Sequence, residues 1–459
     1  MSASSLQKHA DLLRLYEETK IKSDFTAAVP TSDVQVKSQL RELGHPICLF
    51  GEDAFARRER LKLILGGKSV VAAPQSEDLS VEQPKSVFYT HGSESLLNVR
   101  RMIAEKSLSL SRARLERERN KDWLNTDNVA RLWEKGTVVP FSQIGDSRPL
   151  SNIAFAPVEP YVAVAGWSGD VNVFSTASEK DMTKMVSLRG HRDRCTSVSW
   201  SSHKNDLLVS GGCDKKIFLW SVGGGGNNTD SSIAPLQVLE GHELRVNRVS
   251  FHPTCAHIVM STSDDETWRM WDIERQEEVL LQEGHIAGVF GLAIHPDGSL
   301  AATSDTAGVI QIWDMRTGRL ILGFEAHAEQ VIGLDFSPNG YNLASCSGDN
   351  MVKIWDLRAK QCVDTLPGHE KLVSSVKYDR MNGGVLMTAS YDCVAKIWRT
   401  SDFKIVKNLP IHESRIMGAD LHPNGTHVAT ACYDRTFKVW SAVEGVLGKD
   451  EDELMKQEE

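Results

Sequence analysis

Between residues 137 and 447, apolar and polar positions alternate with period two in short runs, as in Val246-Asn247-Arg248-Val249-Ser250-Phe251. Successive side chains of a strand point to opposite faces, so this alternation predicts half-buried β-strands. Turn residues such as Pro338-Asn339-Gly340 close a run, a second run follows, and after a tight turn a third run ends in tryptophan. The whole unit then repeats. Aligned tryptophans stand at Trp220, Trp271, Trp313, Trp355, Trp398 and Trp440, separated by 51, 42, 42, 43 and 42 residues, and Phe174 takes the same place 46 residues before Trp220. The one long interval contains Gly223-Gly224-Gly225-Gly226-Asn227-Asn228, a flexible insertion expected on the surface. Three or four short strands per unit of about 42 residues predict propeller blades. Seven units predict an all-β, seven-bladed propeller.

Polar residues recur inside the units at fixed offsets. Histidines precede six of the aromatic anchors: His191, His242, His285, His327, His369 and His412. In five units an aspartate stands six residues before the tryptophan, with Ser or Thr four residues before the aspartate: Ser210, Asp214 and Trp220; Ser261, Asp265 and Trp271; Ser345, Asp349 and Trp355; Thr388, Asp392 and Trp398; Thr430, Asp434 and Trp440. Each set reads as a buried chain of indole, hydroxyl, imidazole and carboxylate. Such groups must satisfy one another, so they should be present or absent together. The first unit has Phe174, Val164 and Ser168 at these places and no histidine. The fourth keeps His285, Thr303 and Trp313 but has Ala307 at the aspartate position, so a weaker network is expected there. Little chain remains after Trp440. Val138-Val139-Pro140-Phe141-Ser142-Gln143 is therefore expected to supply the outer strand of the last blade, hiding an open edge and joining the ends of the ring.

Upstream, the periodicity becomes helical, and a mainly helical N-terminal extension is expected. Residues 1–29 are read as a helical or flexible segment in which Ser5 can cap a short helix bearing Leu6, Ala10 and Leu13. In residues 30–66, Ser32 and Gln35 have capping-box spacing, Val36, Leu40 and Leu43 follow at helical intervals, and Gly44 and Pro46 stop the helix. Asp53 can cap a second helix running to Leu65. Two short helices cannot bury a core alone, so this piece is expected to dock, with Leu43, Leu49, Phe50, Arg57 and Arg58 as candidate contacts. Residues 67–86 read as a linker. Residues 87–122 carry a basic helix from about Ser95 to Asn120, with Leu96, Val99, Ile103 and Leu110 on one side and a net charge of +5 counted through Lys121. Either its charges form a solvated face, or residues such as Arg100 and Arg101 meet RNA phosphate or an acidic protein. Residues 448–459 form an acidic tail.

Composition narrows the function classes. The net charge of −9 does not describe a basic nucleic-acid coat. That charge is uneven: residues 1–140 hold 22 Lys and Arg against 19 Asp and Glu, and the remainder holds 30 against 42. Eight cysteines are scattered without a CxxC pair, so no metal site, cofactor or disulfide framework is expected. Neither a secretory signal nor an uninterrupted apolar stretch of membrane-spanning length is found. The Asp–His–Ser/Thr sets invite a catalytic reading, but an enzyme needs one activated site, and recurrence in most blades points to structure. Leu65-Gly66-Gly67-Lys68-Ser69 resembles the end of a phosphate loop, yet Lys62 occupies the required first glycine. No enzyme is expected. Function should then lie on the rims. Repeat alignment places Arg194, Arg245 and Arg415 before inner strands at one opening of the channel, with Arg148 in a comparable place. It also places Trp167, Tyr391 and Tyr433 on that side. Arginines among large aromatics suit a binding surface for protein or RNA. The plainer reading is that the rings cover the blade ends.

Across 137–447 the chain resembles the WD40 family. Val29 to Leu65 resembles the small splicing-factor motif that precedes the propeller in WD-repeat proteins of the U4/U6 small nuclear ribonucleoprotein. The stretch from Phe88 to Arg117, the propeller start Gln143-Ile144-Gly145-Asp146-Ser147-Arg148-Pro149, Trp268-Arg269-Met270-Trp271-Asp272 and Phe336 to Asn350 are similar to the same proteins. The resemblance implies a nuclear, non-catalytic scaffold subunit of the U4/U6 and U4/U6.U5 particles. Its implied partners are other U4/U6 proteins and a cyclophilin-type isomerase, with direct contact to U4/U6 snRNA left open. The likeness fails in the linker, the Gly-rich insertion and the tail. A second class stays in view: Trp313-Asp314-Met315-Arg316 and Trp355-Asp356-Leu357-Arg358 match a WDxR pattern similar to substrate receptors of cullin-type ubiquitin ligases.

Overall fold

The alternating segments become strands that pair as seven sheets in this computed structural model. The structure describes residues 30, 32–43, 45, 54–65, 93–120, 128–158, 160–176, 182–204, 206–222, 232–410 and 412–442. The helix expected at Ser5, the docking candidates Leu49 and Phe50, the linker, the Gly-rich insertion and the acidic tail lie outside the described residues. The chain divides into two units, Met1–Ser86 and Val87–Glu459.

In the first unit α1 (Asp33–Glu42) packs on α2 (Ala54–Leu65). Val36, Leu40 and Leu61 are buried together. The Asp33 carboxylate takes Lys37 Nζ at 2.6 Å and the buried guanidinium of Arg57. Hydrogen bonds from Lys37 and Arg57 hold its carboxyl below the ordinary range. Ser32 sits at the N-cap position, but its hydroxyl makes no cap bond. The expected capping box is therefore not formed, and Asp33 supplies the negative charge that a helix N-terminus favours. Arg57, a docking candidate, bonds Asp33 inside the pair. Arg58 is half-buried and Leu43 is exposed.

The second unit is the propeller. Its inner strands are Leu150–Phe155, Cys195–Trp200, Val246–Phe251, Val289–Ile294, Val331–Phe336, Val373–Tyr378 and Ile416–Leu421, one for each of blades 1 to 7. Every inner strand carries a β-bulge at its start. Several bulge side chains reach the carbonyl at the start of the next inner strand: Ser151 to Cys195, Thr196 to Val246 (2.6 Å), Asn247 to Val289 (2.8 Å) and Ser374 to Ile416 (2.7 Å). Thr137–Ile144 pairs with Thr436–Ala442 and completes blade 7, so the first strand closes the last blade. Closure pairs the edge that the third strand of that blade would otherwise leave open. Blade 1 gains a short parallel strand, Ser232–Ile233, outside Thr183–Arg189.

The core lies between blades in seven layers, each holding the aromatic that ends a third strand. Phe174 sits between blades 7 and 1, Trp220 between 1 and 2, Trp271 between 2 and 3, and Trp313 between 3 and 4. Trp355, Trp398 and Trp440 continue the series around the ring. Each indole N–H is then tied within its own blade. In blade 3, Trp271 donates to Ser261 Oγ at 2.8 Å, His242 Nε2 meets the same hydroxyl at 2.7 Å, and His242 Nδ1 meets Asp265 at 2.8 Å. The same chain runs through Trp220, Ser210, His191 and Asp214 in blade 2. Blade 5 uses Trp355, Ser345, His327 and Asp349, and blade 6 uses Trp398, Thr388, His369 and Asp392. Burial pushes Asp265 up, but the hydrogen bonds from His242 and Thr267 outweigh it and leave the carboxyl well below its ordinary range.

Two blades depart from the sequence expectation. In blade 4, Asp305 bonds His285 Nδ1 at 3.0 Å from two residues before Ala307, so the network is complete. Blade 7 has every expected residue, yet His412 Nδ1 lies 3.9 Å from Asp434, and Trp440 reaches Thr430 only at 3.3 Å. Blade 1 replaces the chain. Buried Asp146 takes the histidine's place and accepts from the Ser168 hydroxyl, while Phe174 packs 4.7 Å from Phe437.

Two helices lie on the propeller. The helix α3 (Glu94–Arg119) is capped by Ser93, whose Oγ accepts from Leu96 N at 3.2 Å. Leu96, Val99 and Ile103 are buried against Cys255, Ile258, Met260 and Trp268 of blade 3 and Trp313 of blade 4. Leu110 stays partly exposed, because polar bonds take over in the second half of the helix. Lys106 donates to Thr254 O at 3.2 Å, Ser111 to Asp297 at 2.8 Å, and Arg114 to Asp297 at 2.9 Å and to the Asn339 carbonyl. A second helix, α4 (Asn128–Lys135), falls in a stretch to which the sequence pattern assigned no element. Val129, Ala130 and Trp133 are buried in the layer between blades 6 and 7, and Trp133 donates to Gly425 O at 2.9 Å.

Two predictions follow from these contacts. Asp265→Ala and Asp305→Ala each orphan a buried imidazole N–H and should cost about 2 kcal/mol in urea denaturation. Asp434→Ala should cost less than half of that, because it bears on a longer, unbonded contact. Arg114→Ala leaves Asp297 buried without its cation and should destabilise the unit by about 3 kcal/mol. Adding Asp297→Asn should recover part of that loss in thermal melts.

Candidate functional site

Blade geometry sorts the loops onto two faces. The loop before each inner strand and the hairpin between second and third strands emerge on one face. The other face carries the turn after each inner strand and the hairpin before each outer strand. Thr254, Asp297, Asn339 and Gly425 all lie in turns that follow inner strands, so α3 and α4 bind that second face. The basic helix therefore spends several of its cations on the propeller. Arg100 is half-buried near Asp314, and burial pushes its guanidinium down. Arg101, Arg112 and Arg119 remain exposed.

The first face carries the sequence-selected rim residues, and five of them form one ladder. Arg415 precedes the inner strand of blade 7 and stands between two rings, 5.4 Å from the centre of Tyr391 in blade 6 and 4.1 Å from that of Tyr433 in blade 7. Tyr433 meets Trp167 of blade 1 edge-on at 5.4 Å. Arg194, before the inner strand of blade 2, lies 4.1 Å over Trp167. The blade backbone sets this order. Tyr433 N donates to Arg415 O at 3.0 Å, and Trp167 N to Pro149 O at 2.8 Å. Each hairpin aromatic is thus paired with the residue that opens its own inner strand, and an arginine from the next blade can cover it. Burial pushes the Tyr391 hydroxyl up, while Arg415 opposes the shift.

The remaining two candidates stand apart from this ladder. Arg245 is drawn to Asp264 at 2.6 Å, because the aromatic place in its blade holds that aspartate. Arg148 is exposed but lies one residue before the ladder position, which Pro149 occupies. Among the described residues, no ring contact reaches Arg148.

A residue that repeat reasoning passed over lies inside the channel. Arg248 projects from the inner strand of blade 3 at a register where the other blades have Asn152, Ser197, Gly291, Gly333, Ser375 and Gly418. Burial pushes its guanidinium down, and Cys346 and Tyr391 oppose that shift. The signal was legible as one long cation among small residues. Towards the second face the channel widens to a cavity of about 360 Å³ lined by Arg248, Asp335, Lys377 and Asp420 among others. Burial raises the Asp335 carboxyl, although it accepts Tyr378 N at 2.7 Å.

Residues 149–441 match the family model described as the IFT122 first beta-propeller. The chain belongs to that family of WD-repeat propellers. Unlike a bare propeller of the family, it also matches, at residues 36–64, the model described as pre-mRNA processing factor 4 (PRP4) like. That match covers most of the helices α1 and α2. An uncharacterised WD repeat-containing protein of Schizosaccharomyces pombe is 35% identical over 54% of this chain and 55% of its own length. The U4/U6 small nuclear ribonucleoprotein PRP4 of Saccharomyces cerevisiae is 27% identical over 61% of this chain and 62% of its own. The U4/U6 small nuclear ribonucleoprotein Prp4 of Homo sapiens is 38% identical over 42% of this chain and 38% of its own. These matches thus span between about two fifths and three fifths of the relatives' lengths.

Within the WD-repeat frame the ladder is a local variation on a shared backbone, so its energetics can be isolated. Exposed cation–π contacts contribute about 0.5–1 kcal/mol and aromatic pairs about 0.5–1.5 kcal/mol. A double-mutant cycle on Arg194→Ala and Trp167→Ala should give a coupling of about 0.5–1 kcal/mol in denaturant titrations. Arg415, which faces two rings, should show coupling to Tyr391 as well as to Tyr433. Zero coupling at all three pairs would mean that the ladder does not persist in solution.

Proposed function

We propose that this protein is a non-catalytic scaffold subunit of the U4/U6 small nuclear ribonucleoprotein and of the U4/U6.U5 particle, acting in pre-mRNA splicing in the nucleus. One observation carries the reading: a PRP4-like segment at 36–64 and a propeller at 149–441 occur in that order on one chain. Relatives in yeast, mammals and plants bear the U4/U6 ribonucleoprotein name, which supports it. The proposed division of labour assigns one component to the open face with Arg194, Trp167, Tyr433, Arg415 and Tyr391. The α1–α2 segment grips another. Other U4/U6 proteins and a cyclophilin-type isomerase are the proposed partners, with U4 and U6 RNA held through them or touched directly.

Two features support a binding role over a catalytic one. The histidine–aspartate pairs repeat around the ring and are closed within each blade. On the open face Arg194 and Arg415 lie over aromatic rings and Arg245 is paired with Asp264, an arrangement suited to binding. The ubiquitin-ligase reading is less favoured. Arg316 is held by Asp314 at 3.1 Å, and Arg358 lies 3.9 Å over Tyr341, which also faces Arg114 of α3 at 5.4 Å.

Affinity purification of the tagged full chain, followed by RNA sequencing and mass spectrometry, should recover U4 and U6 RNA with their proteins. Recovery of a cullin adaptor without RNA would overturn the proposal. Arg194→Glu with Arg415→Glu should reduce that recovery at least about tenfold, the loss expected for two hot-spot positions, without lowering propeller stability by more than about 2 kcal/mol. Deleting residues 30–65 should release a protein partner and leave the propeller folded.

A further inference from the structure

The loose lock of blade 7 has a composition found in no other blade. In blades 3, 5 and 6 the residue two before the network aspartate is Ser263, Ser347 or Ser390, and its hydroxyl accepts the aspartate's own N–H at 3.2 Å. In blade 4 that place holds Asp305, which reaches the histidine Nδ1 directly at 3.0 Å. A side chain at this position therefore stands within reach of the imidazole. In blade 7 it is Cys432, fully buried. His412, Cys432 and Asp434 each offer one ligand atom, and these atoms lie within 4.8 Å of one another.

The histidine is prepared as a ligand. Its side chain is wholly buried, and Nδ1 has no hydrogen-bond partner among the described residues. Its other nitrogen, Nε2, is 2.7 Å from Thr430 Oγ1, and that hydroxyl lies 3.3 Å from Lys438 O. If the hydroxyl gives its proton to Lys438 O, it accepts from Nε2–H, and the lone pair of Nδ1 points towards Cys432 and Asp434. Donation from the far ring nitrogen is the usual support of a metal-bound histidine.

We propose that His412 Nδ1, Cys432 Sγ and the Asp434 carboxylate form a binding site for a divalent cation of zinc type. Nitrogen, sulfur and oxygen donors together suit zinc, with bonds of about 2.0–2.3 Å and a fourth position left for water or another ligand. Contraction of the set by about 1 Å would bring the three atoms onto one tetrahedral ion. Asp434 is partly exposed and provides the way in. Free of metal, Cys432 is a thiol that faces Ser414 O at 3.2 Å. Binding exchanges the S–H proton for the metal, releases one proton to solvent and forms the S–Zn bond without any redox change. The ion would join the loop before the inner strand of blade 7 to its second strand, directly beneath Arg415 and Tyr433.

The probe is Co²⁺, whose thiolate complexes absorb by sulfur-to-metal charge transfer. The full chain, stripped with chelator, should bind one equivalent with that band, and Zn²⁺ should displace it. In Cys432→Ser the band should vanish, and in Asp434→Asn binding should weaken at least about tenfold. Cys432→Ser should fold, since three other blades carry serine there, and a thermal melt checks it. Absence of the band in the wild type, or a band unchanged in folded Cys432→Ser, overturns the site. These outcomes are independent of whether U4 and U6 RNA co-purify.

Discussion

An indole buried between two blades must place its N–H somewhere, and the ring is organised around the answer. The aromatic ending each third strand is buried in the apolar layer shared with the preceding blade. A hydroxyl on the second strand accepts from it, a histidine from the incoming loop bonds that hydroxyl, and a carboxylate from the next hairpin holds the histidine. At these blade-ending positions packing and polar satisfaction are thus one constraint, since each indole is buried together with its chain of partners. The same chain ties the loop that enters each blade to the hairpin that leaves its second strand. It fixes the face on which the arginine and aromatic ladder stands. Blade 1 illustrates the rule by exemption: with Phe174 there is no N–H to satisfy, and Asp146 and Ser168 can form a shorter bond of their own.

Most of the architecture was legible because spacing encodes it directly. The tryptophan interval counted the blades, and the missing outer strand after Trp440 demanded that Thr137–Ile144 return to close the ring. Departures arose where geometry, rather than spacing, decides the partner. Ala307 suggested a weaker network, but the hairpin backbone lets Asp305 reach His285 from two residues earlier. Blade 7 has every residue of the pattern and still fails to bring Asp434 into bonding distance. The helix α4 was missed because its apolar set, Val129, Ala130 and Trp133, is too short to announce a period. On the rim, residue type was readable but company was not. Arg194, Arg245 and Arg415 look equivalent in alignment. Asp264 in place of an aromatic removes Arg245 from the ladder.

The division of the two faces has a physical origin in what each must satisfy. Turns after inner strands expose carbonyls such as those of Thr254, Asn339 and Gly425, and the side chains of α3 and α4 occupy them. Much of the basic character of α3 is consumed there: Arg114 neutralises Asp297, which is itself almost fully buried. A net charge counted along this helix therefore overstates what it can offer to phosphate. On the opposite face the incoming loops are held by the histidine chains, and stacked rings stiffen their arginines. Side chains ordered before binding lose less entropy when they bind, so under the proposed function stacking would make this face a better platform than free arginines.

Closure concentrates these demands in blade 7. Its outer strand comes from far upstream in sequence, its layer with blade 6 holds Trp133 of α4, and its second strand carries Tyr433 of the ladder. A ring closed by one strand can open there first, because no covalent continuity backs the seam. Yet the polar chain is slackest in this blade, with His412 unbonded at Nδ1 and the thiol of Cys432 beside it. Every other complete blade holds the Nδ1 of its histidine by a carboxylate. A cation drawing the imidazole, thiolate and carboxylate together would replace one hydrogen bond by three ligand bonds at the seam. It would tighten the ring and the ladder above it in one step, coupling closure of the fold to the readiness of its open face.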